Sequence, residues 1–182
     1  MDALHANAMA MATEILDLPA LAARLPRHAR LFGLDLGTKT IGIAMSDVER
    51  RIATPLETIR RVKFSIDVKR LVELAQSFDI KGLVVGLPLN MDGTEGPRSQ
   101  ATRSFVRNLA IHTDLPVTFW DERLSTAAVT RSLIEQDATR AKRAQVVDRM
   151  AAAYILQGLL DRMAVMAREN DPSPGNEGPF YT

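Results

Sequence analysis

The sequence predicts a mixed α/β fold: a five-stranded sheet, three antiparallel strands then two parallel ones, flanked by helices. Three observations predict it. Two apolar runs, Leu31-Phe32-Gly33-Leu34-Asp35-Leu36 and Ile41-Gly42-Ile43-Ala44-Met45, are separated only by Gly37-Thr38-Lys39-Thr40, a connection short enough for an antiparallel pair. A later run, Gly82-Leu83-Val84-Val85-Gly86-Leu87, is apolar without alternation, as in a strand covered on both faces. Between the later strands lie segments with apolar residues three to four apart, the helical period. Strands paired first and then alternating with helices imply a mixed sheet with helical cover.

Taken in order, residues 1–29 form an N-terminal extension, with a short amphipathic stretch around Ile15-Leu16 broken by Pro19 and Pro26. Strands at 31–36 and 41–47 are followed by a weaker one, Ile52 to Thr58, whose Pro55 suits a sheet edge. Ser65 is placed to cap a helix carrying Ile66, Leu71, Leu74 and Phe78. The apolar strand at 82–87 leads through the glycine-containing loop 90–96 into a helix with Ala101, Phe105, Leu109 and His112. A strand at 117–120 runs into Asp121-Glu122-Arg123-Leu124, and Ser125 caps a helix reaching about Gln136. A long helix from about Arg143 to Ala167 spaces Val147, Ala151, Tyr154, Ile155 and Leu159 for a buried stripe. The domain is expected over 30–167, with 168–182, rich in Pro, Gly and Asn, as a disordered tail.

Composition narrows the function classes. With 46% hydrophobic and 25% charged residues in 182, the chain suits one ordinary domain with a real core. It has no cysteine, which excludes disulfides, thiolate zinc sites and cysteine nucleophiles and fits a reducing cytoplasm. His5, His28 and His112 are too scattered for a histidine metal centre. Acids near the N-terminus do not suit a secretory signal, and no run reads as long and apolar enough to cross a bilayer, so no membrane partner is expected. Net charge is +1, yet the basic residues cluster: Arg60, Arg61 and Lys63; Arg98, Arg103 and Arg107; Arg140, Lys142, Arg143 and Arg149. Each alone reads as solvated surface. Beside an acidic centre, the last would also suit a phosphate-binding rim.

Three acids have settings that ask for an explanation. Asp35 stands inside an apolar strand, where a carboxylate is costly without a cation or hydrogen bonds. Glu122 ends the strand at 117–120, and Asp148 lies near the start of the last helix. Ligands of open sheets gather at the carboxyl ends of parallel strands, where Asp35 and Glu122 both fall. Each residue also has a plain reading. Asp35 before Gly37 suits a turn, Glu122 with Arg123 an exposed pair, and Asp148 a first-turn acid favoured by the helix dipole. Asp121 competes with Glu122, since both leave the same strand.

Four blocks carry a family likeness: Gly33-Leu34-Asp35-Leu36-Gly37-Thr38-Lys39; Gly86-Leu87-Pro88 with Asn90-Met91-Asp92-Gly93-Thr94-Glu95-Gly96; Asp121-Glu122-Arg123-Leu124-Ser125-Thr126; and Val147-Asp148 with Ala151-Ala152 and Ile155-Leu156-Gln157. Together they resemble the YqgF family, bacterial proteins described as pre-16S rRNA nucleases and as Holliday-junction-resolvase-like, with an RNase H-like fold. The resemblance spans about residues 30–160. It implies a nuclease of the cytoplasm acting on RNA in 5′-end maturation of pre-16S rRNA, with four-way junction DNA as the alternative substrate. It also implies Mg²⁺ or Mn²⁺, because phosphodiester hydrolysis needs charge neutralised on attacking and leaving oxygens, and all-oxygen sites select these ions. Asp35 is then the expected bridging ligand, with Glu122 and Asp148 completing the catalytic and metal site. Lys39, Thr94, Arg98, Arg123 and Arg143 are the expected substrate contacts. Oligomeric state is left open, although a junction resolvase needs paired sites.

The likeness has one departure and two rivals. Resolvases of the wider superfamily carry an acid at the tip of the central parallel strand, where this chain has Gly86-Leu87-Pro88. Glu122 must reach over from the neighbouring strand, which its extra methylene favours over Asp121. The Asp-Leu-Gly-Thr run also resembles the first phosphate motif of the actin and hexokinase ATPases, but one domain of this length lacks their second half. A non-catalytic nucleic-acid-binding module is the other rival, disfavoured by retention of all three acids.

Overall fold

The computed structural model describes residues 13–124 and 140–170, with side chains of the last helix from Val147 onward. The sheet order is β3-β2-β1-β4-β5. β1 (Arg30–Leu36), β2 (Thr40–Ser46) and β3 (Ala53–Arg60) form an antiparallel meander. β4 (Ile80–Leu87) lies parallel to β1, and β5 (Val117–Asp121) parallel to β4. This is the mixed five-stranded sheet, three antiparallel strands then two parallel ones, that the sequence predicts. Pro55 sits on the outermost strand opposite Ala44, beside the register shift between Ile43 and Ala44, where its missing N–H costs no interior ladder bond.

Alternation along the strands divides the core in two. Phe32 and Leu34 of β1 face one side, with Leu71 and Leu74 of α2 (Phe64–Ser77) and Phe105 and Leu109 of α3 (Pro97–Leu109). Leu31 faces the other, with Ala151, Ala152, Ile155, Leu156 and Leu159 of α4 (Arg140–Glu169). From Val147 to Glu169 this helix does have the length and composition to cross a membrane, contrary to the expectation from sequence. Its apolar stripe is instead packed on the sheet: Ala152, Ile155, Leu156 and Leu159 are each fully buried.

Several local expectations change. Residues 13–29 pack against the sheet: the Leu16 N–H donates to the Val117 carbonyl (2.8 Å), and Leu21 of α1 (Leu18–Arg24) is fully buried. Pro19 opens α1 instead of breaking it, because the first helical turn has no use for its missing N–H. The N-cap of α2 is Lys63, not Ser65, and makes no side-chain cap bond. The buried Asp67 accepts from the Val62 N–H (3.1 Å) instead. The predicted helix from Ser125 to Gln136 and the tail from 171 lie outside the described residues.

Candidate active site

Because β1, β4 and β5 run parallel, their carboxyl ends share one edge of the sheet. Asp35 is the penultimate residue of β1 and is 2% exposed. It lies two residues beyond Gly33, hence on the same face, and Gly33 presses against Leu156 and the Ala152 carbonyl of α4. Asp35 therefore belongs to the α4 face.

Its neighbours across the sheet on either side are glycines, and each glycine admits another acid. Gly42 pairs directly with Asp35. A methyl group on Gly42 would sit 2.1 Å from the Asp148 carbonyl oxygen, so the helix backbone rests on β2 there. On the other flank, the β1–β4 register runs to Leu34 opposite Val85, which brings Gly86 beside Asp35 one step on. A methyl on Gly86 would lie 2.8 Å from Glu122 Oε1. Glu122, 7% exposed in a single 3-10 turn after β5, thus folds its carboxylate back over β4. Strands stand about 4.8 Å apart, so Asp35 on β1, the Glu122 carboxylate over β4 and the Asp148 backbone over β2 lie along three adjacent strands.

The competing residue, Asp121, points elsewhere. Its carboxylate takes a fork from Arg123 (Nη2 to Oδ2 2.6 Å, Nε to Oδ1 3.0 Å) and also accepts the Arg123 backbone N–H. Arg123 holds the Asp121 carboxyl below its ordinary range, and Asp121 in turn raises the guanidinium. Arg123 further donates to the Met91 carbonyl (3.2 Å) and lies over Gly93, whose φ of +87° favours glycine. The side chain expected to contact phosphate is thus a clasp between β5 and the loop 90–96.

The other expected substrate contacts are spread along the same edge. Lys39 is exposed in the β1–β2 turn, and its carbonyl accepts from the Arg61 N–H (2.9 Å). Both the N–H and the hydroxyl of Thr94 donate to Asp92 Oδ1 (2.9 and 2.6 Å), so this loop satisfies itself. Arg98 is exposed in the first turn of α3. Arg143 lies on the backbone of α4, its side chain outside the described residues. Asp148 is the ninth residue of α4, beyond reach of the helix-end charges that a first-turn acid would feel. Its carboxylate Oδ2 accepts from the Thr40 hydroxyl at 2.5 Å. Among the described residues no group of three or more His, Cys, Asp or Glu stands close enough together to hold a metal ion. The sequence gives Thr40 and Gly42 no role at the site, and Gly86 only that of the place where a superfamily acid is missing. The signal available was a glycine inside each apolar strand, which marks close approach of another element.

The Asp121–Arg123 pair makes a pH prediction. A carboxyl lowered in the folded state contributes stability that is complete above its unfolded value near 4 and is lost as pH falls through the lowered folded value. Since Arg123 is a third exposed, solvent screening keeps the contribution to at most ~1 kcal/mol. Denaturant midpoints measured from pH 6 down to 2 should fall less steeply for Asp121→Asn than for the unaltered protein. Equal slopes would remove the clasp from the stability of this edge.

Comparison with known proteins places the chain in a family. Residues 29–162 match the RuvX family, described as Holliday junction resolvase. A Methylocella silvestris protein named "Putative pre-16S rRNA nuclease" is 67% identical over 153 residues, covering 84% of this chain and 95% of that one. Proteins of the same name from Beijerinckia indica and Rhizobium meliloti are 65% and 57% identical, each over 85% of this chain and 93% of the relative. Among solved structures, Thermus thermophilus RuvC in complex with a Holliday junction substrate superposes with a TM-score of 0.49 at 16% identity, over 75% of this chain and 97% of that one. With the family matched across the sheet, α2, α3 and most of α4, and with close relatives aligned over nearly their whole length, the chain belongs to the RuvX (YqgF) family.

Proposed function

We propose that the protein is a divalent-metal-dependent nuclease that hydrolyses RNA phosphodiester bonds in 5′-end maturation of pre-16S rRNA, in the cytoplasm where that precursor is made. The observation that carries this reading is the placement of Asp35, Glu122 and Asp148 over three adjacent strands, with Gly42 and Gly86 clearing the space. The names of the close relatives support the choice of substrate.

The donor chemistry fits Mg²⁺ or Mn²⁺, for the acids offer only hard oxygens and no thiolate or imidazole stands among them. Asp35, between the other two, would hold the ion with Glu122 and Asp148. A bound divalent ion would offset negative charge on the phosphodiester as it develops. Asp35 is fixed by its strand, so its carboxylate needs little reorganisation. Thr40 orients Asp148. Ile155 and the buried alanines of α4 wall the acids from bulk water on the helix side.

The test is purified protein with Mg²⁺ or Mn²⁺ on 5′-extended precursor rRNA and, in parallel, on four-way DNA junctions. Glu122→Gln and Asp148→Asn should each lower RNA cleavage by about 10²-fold or more, given the several kcal/mol such charge stabilisation is worth. Full activity in both variants would exclude these acids. The second reading, resolution of branched DNA, is favoured by the description of the matched family. Junction cleavage in preference to RNA would establish it.

A further inference from the structure

The sheet face opposite the acids sets Arg98, an expected substrate contact, beside Arg61, which the catalytic reading leaves unused. At the end of β1, Leu36, Gly37 and Thr38 join Arg61, Arg98 and Phe105 around a cleft of about 90 Å³. Arg61 follows β3 and Arg98 opens α3, so two cations from separate elements meet the turn that leaves Asp35. From Asp35 to Gly37 is two residues, about 7 Å along a strand.

Arg61 is held in place. Its Nη1 donates to the Gly37 carbonyl (2.8 Å), its guanidinium carbon lies 5.7 Å over the Phe105 ring, and its backbone N–H is bonded to Lys39. A guanidinium has five N–H donors, so this fixed group retains donors for a ligand. Three other arginines are each matched to a carboxylate: Arg70 to Glu57, Arg103 to Glu95 and Arg123 to Asp121. Among the described residues, no such ion pair is formed by Arg61 or Arg98. Size selects the ligand class. Pockets for drug-sized molecules run to about 300 Å³ and more, whereas this cleft measures only about 90 Å³. A tetrahedral oxyanion on an extended chain fits; a stacked base does not.

We propose that Arg61 and Arg98 form a phosphate subsite that grips the nucleic-acid strand next to the phosphodiester at Asp35. The proposal rests on the nuclease reading of the acidic edge. A strand crossing the carboxyl edge presents one phosphate to the acids on the α4 face and a neighbouring one to this cleft on the α3 face. The subsite reads backbone and not base, so it sets register without sequence preference.

The experiment is binding of a fluorescent single-stranded RNA, taken from the 5′ end of a precursor, to the full chain across a salt series, with cleavage kinetics alongside. Loss of one phosphate contact lowers the slope of log K against log salt by about 0.7 on a single strand. Arg98→Gln, which disturbs no hydrogen bond described above, and Arg61→Gln/Arg98→Gln should both show this reduction. KM should rise about tenfold, some 1.4 kcal/mol, with kcat little changed. Arg70→Gln, a charge removal on the α2 surface, should leave the slope as it is. An unchanged slope in the double variant, or an equal reduction in Arg70→Gln, overturns the subsite while the nuclease reading stands. Wild-type binding with the expected losses but no cleavage supports the subsite and overturns the nuclease reading. Absence of salt-dependent RNA binding by the wild-type protein overturns the subsite outright.

Discussion

Asp35→Asn should abolish measurable hydrolysis, a loss of about 10³-fold or more, while leaving the protein at least as stable as before. The two effects have one cause. Asp35 is 2% exposed, and an ionised carboxylate withdrawn from water carries a desolvation cost that a neutral amide of the same shape largely avoids. On the proposed reading the position is kept for its chemistry, its burial being a cost that the fold alone does not require. Parallel measurement of cleavage rate and thermal midpoint separates this from a turn-shaping role. A turn residue would lose stability on substitution and leave the rate per folded molecule intact, and that outcome would return Asp35 to the hairpin.

Gly42→Ala should be the most damaging change of a single methyl on this edge. The added carbon would meet the Asp148 carbonyl oxygen at 2.1 Å, the carbonyl carbon at 2.3 Å and the Arg149 nitrogen at 2.9 Å. All three are backbone atoms, so no side-chain rotation relieves the contact. The helix must lift from β2 where it carries Asp148. Overpacking of this kind costs about 1–3 kcal/mol or somewhat more, which for a chain of this size is about 3–10 °C in Tm. Cleavage should fall further than stability, because Asp148 moves away from both Thr40 and Asp35. Gly82→Ala is the control. There the nearest atom is a terminal methyl of the Leu31 side chain, at 3.1 Å, not backbone, and the change should be milder. Equal behaviour of the two variants in melting and cleavage would contradict the close approach of α4.

The elements that packing periodicity specifies were legible in the sequence. The apolar runs of β1, β2 and β4, Pro55 at an edge and the stripe of α4 each follow from local chemistry, and together they determined the sheet and its mixed sense. The three acids were legible as chemistry in unusual places, with Asp121 and Glu122 still competing. Their neighbours in sequence say nothing about which carboxylate turns inward.

Tertiary structure decided that. Arg123 captures Asp121, which leaves Glu122 to fold over Gly86. The backbone of Asp148 rests on Gly42, the cross-strand partner of Asp35 and more than a hundred positions from Asp148, and the Thr40 hydroxyl reaches its carboxylate over a similar separation. The pairing of Arg61 with Arg98 arises from the turn after β3 and the start of α3 closing on one cleft. Periodicity reports which side of an element is buried, a property of a few adjacent residues. The identity of what is buried against it depends on register and on where a missing side chain lets another backbone in, and those are settled only when the whole chain packs.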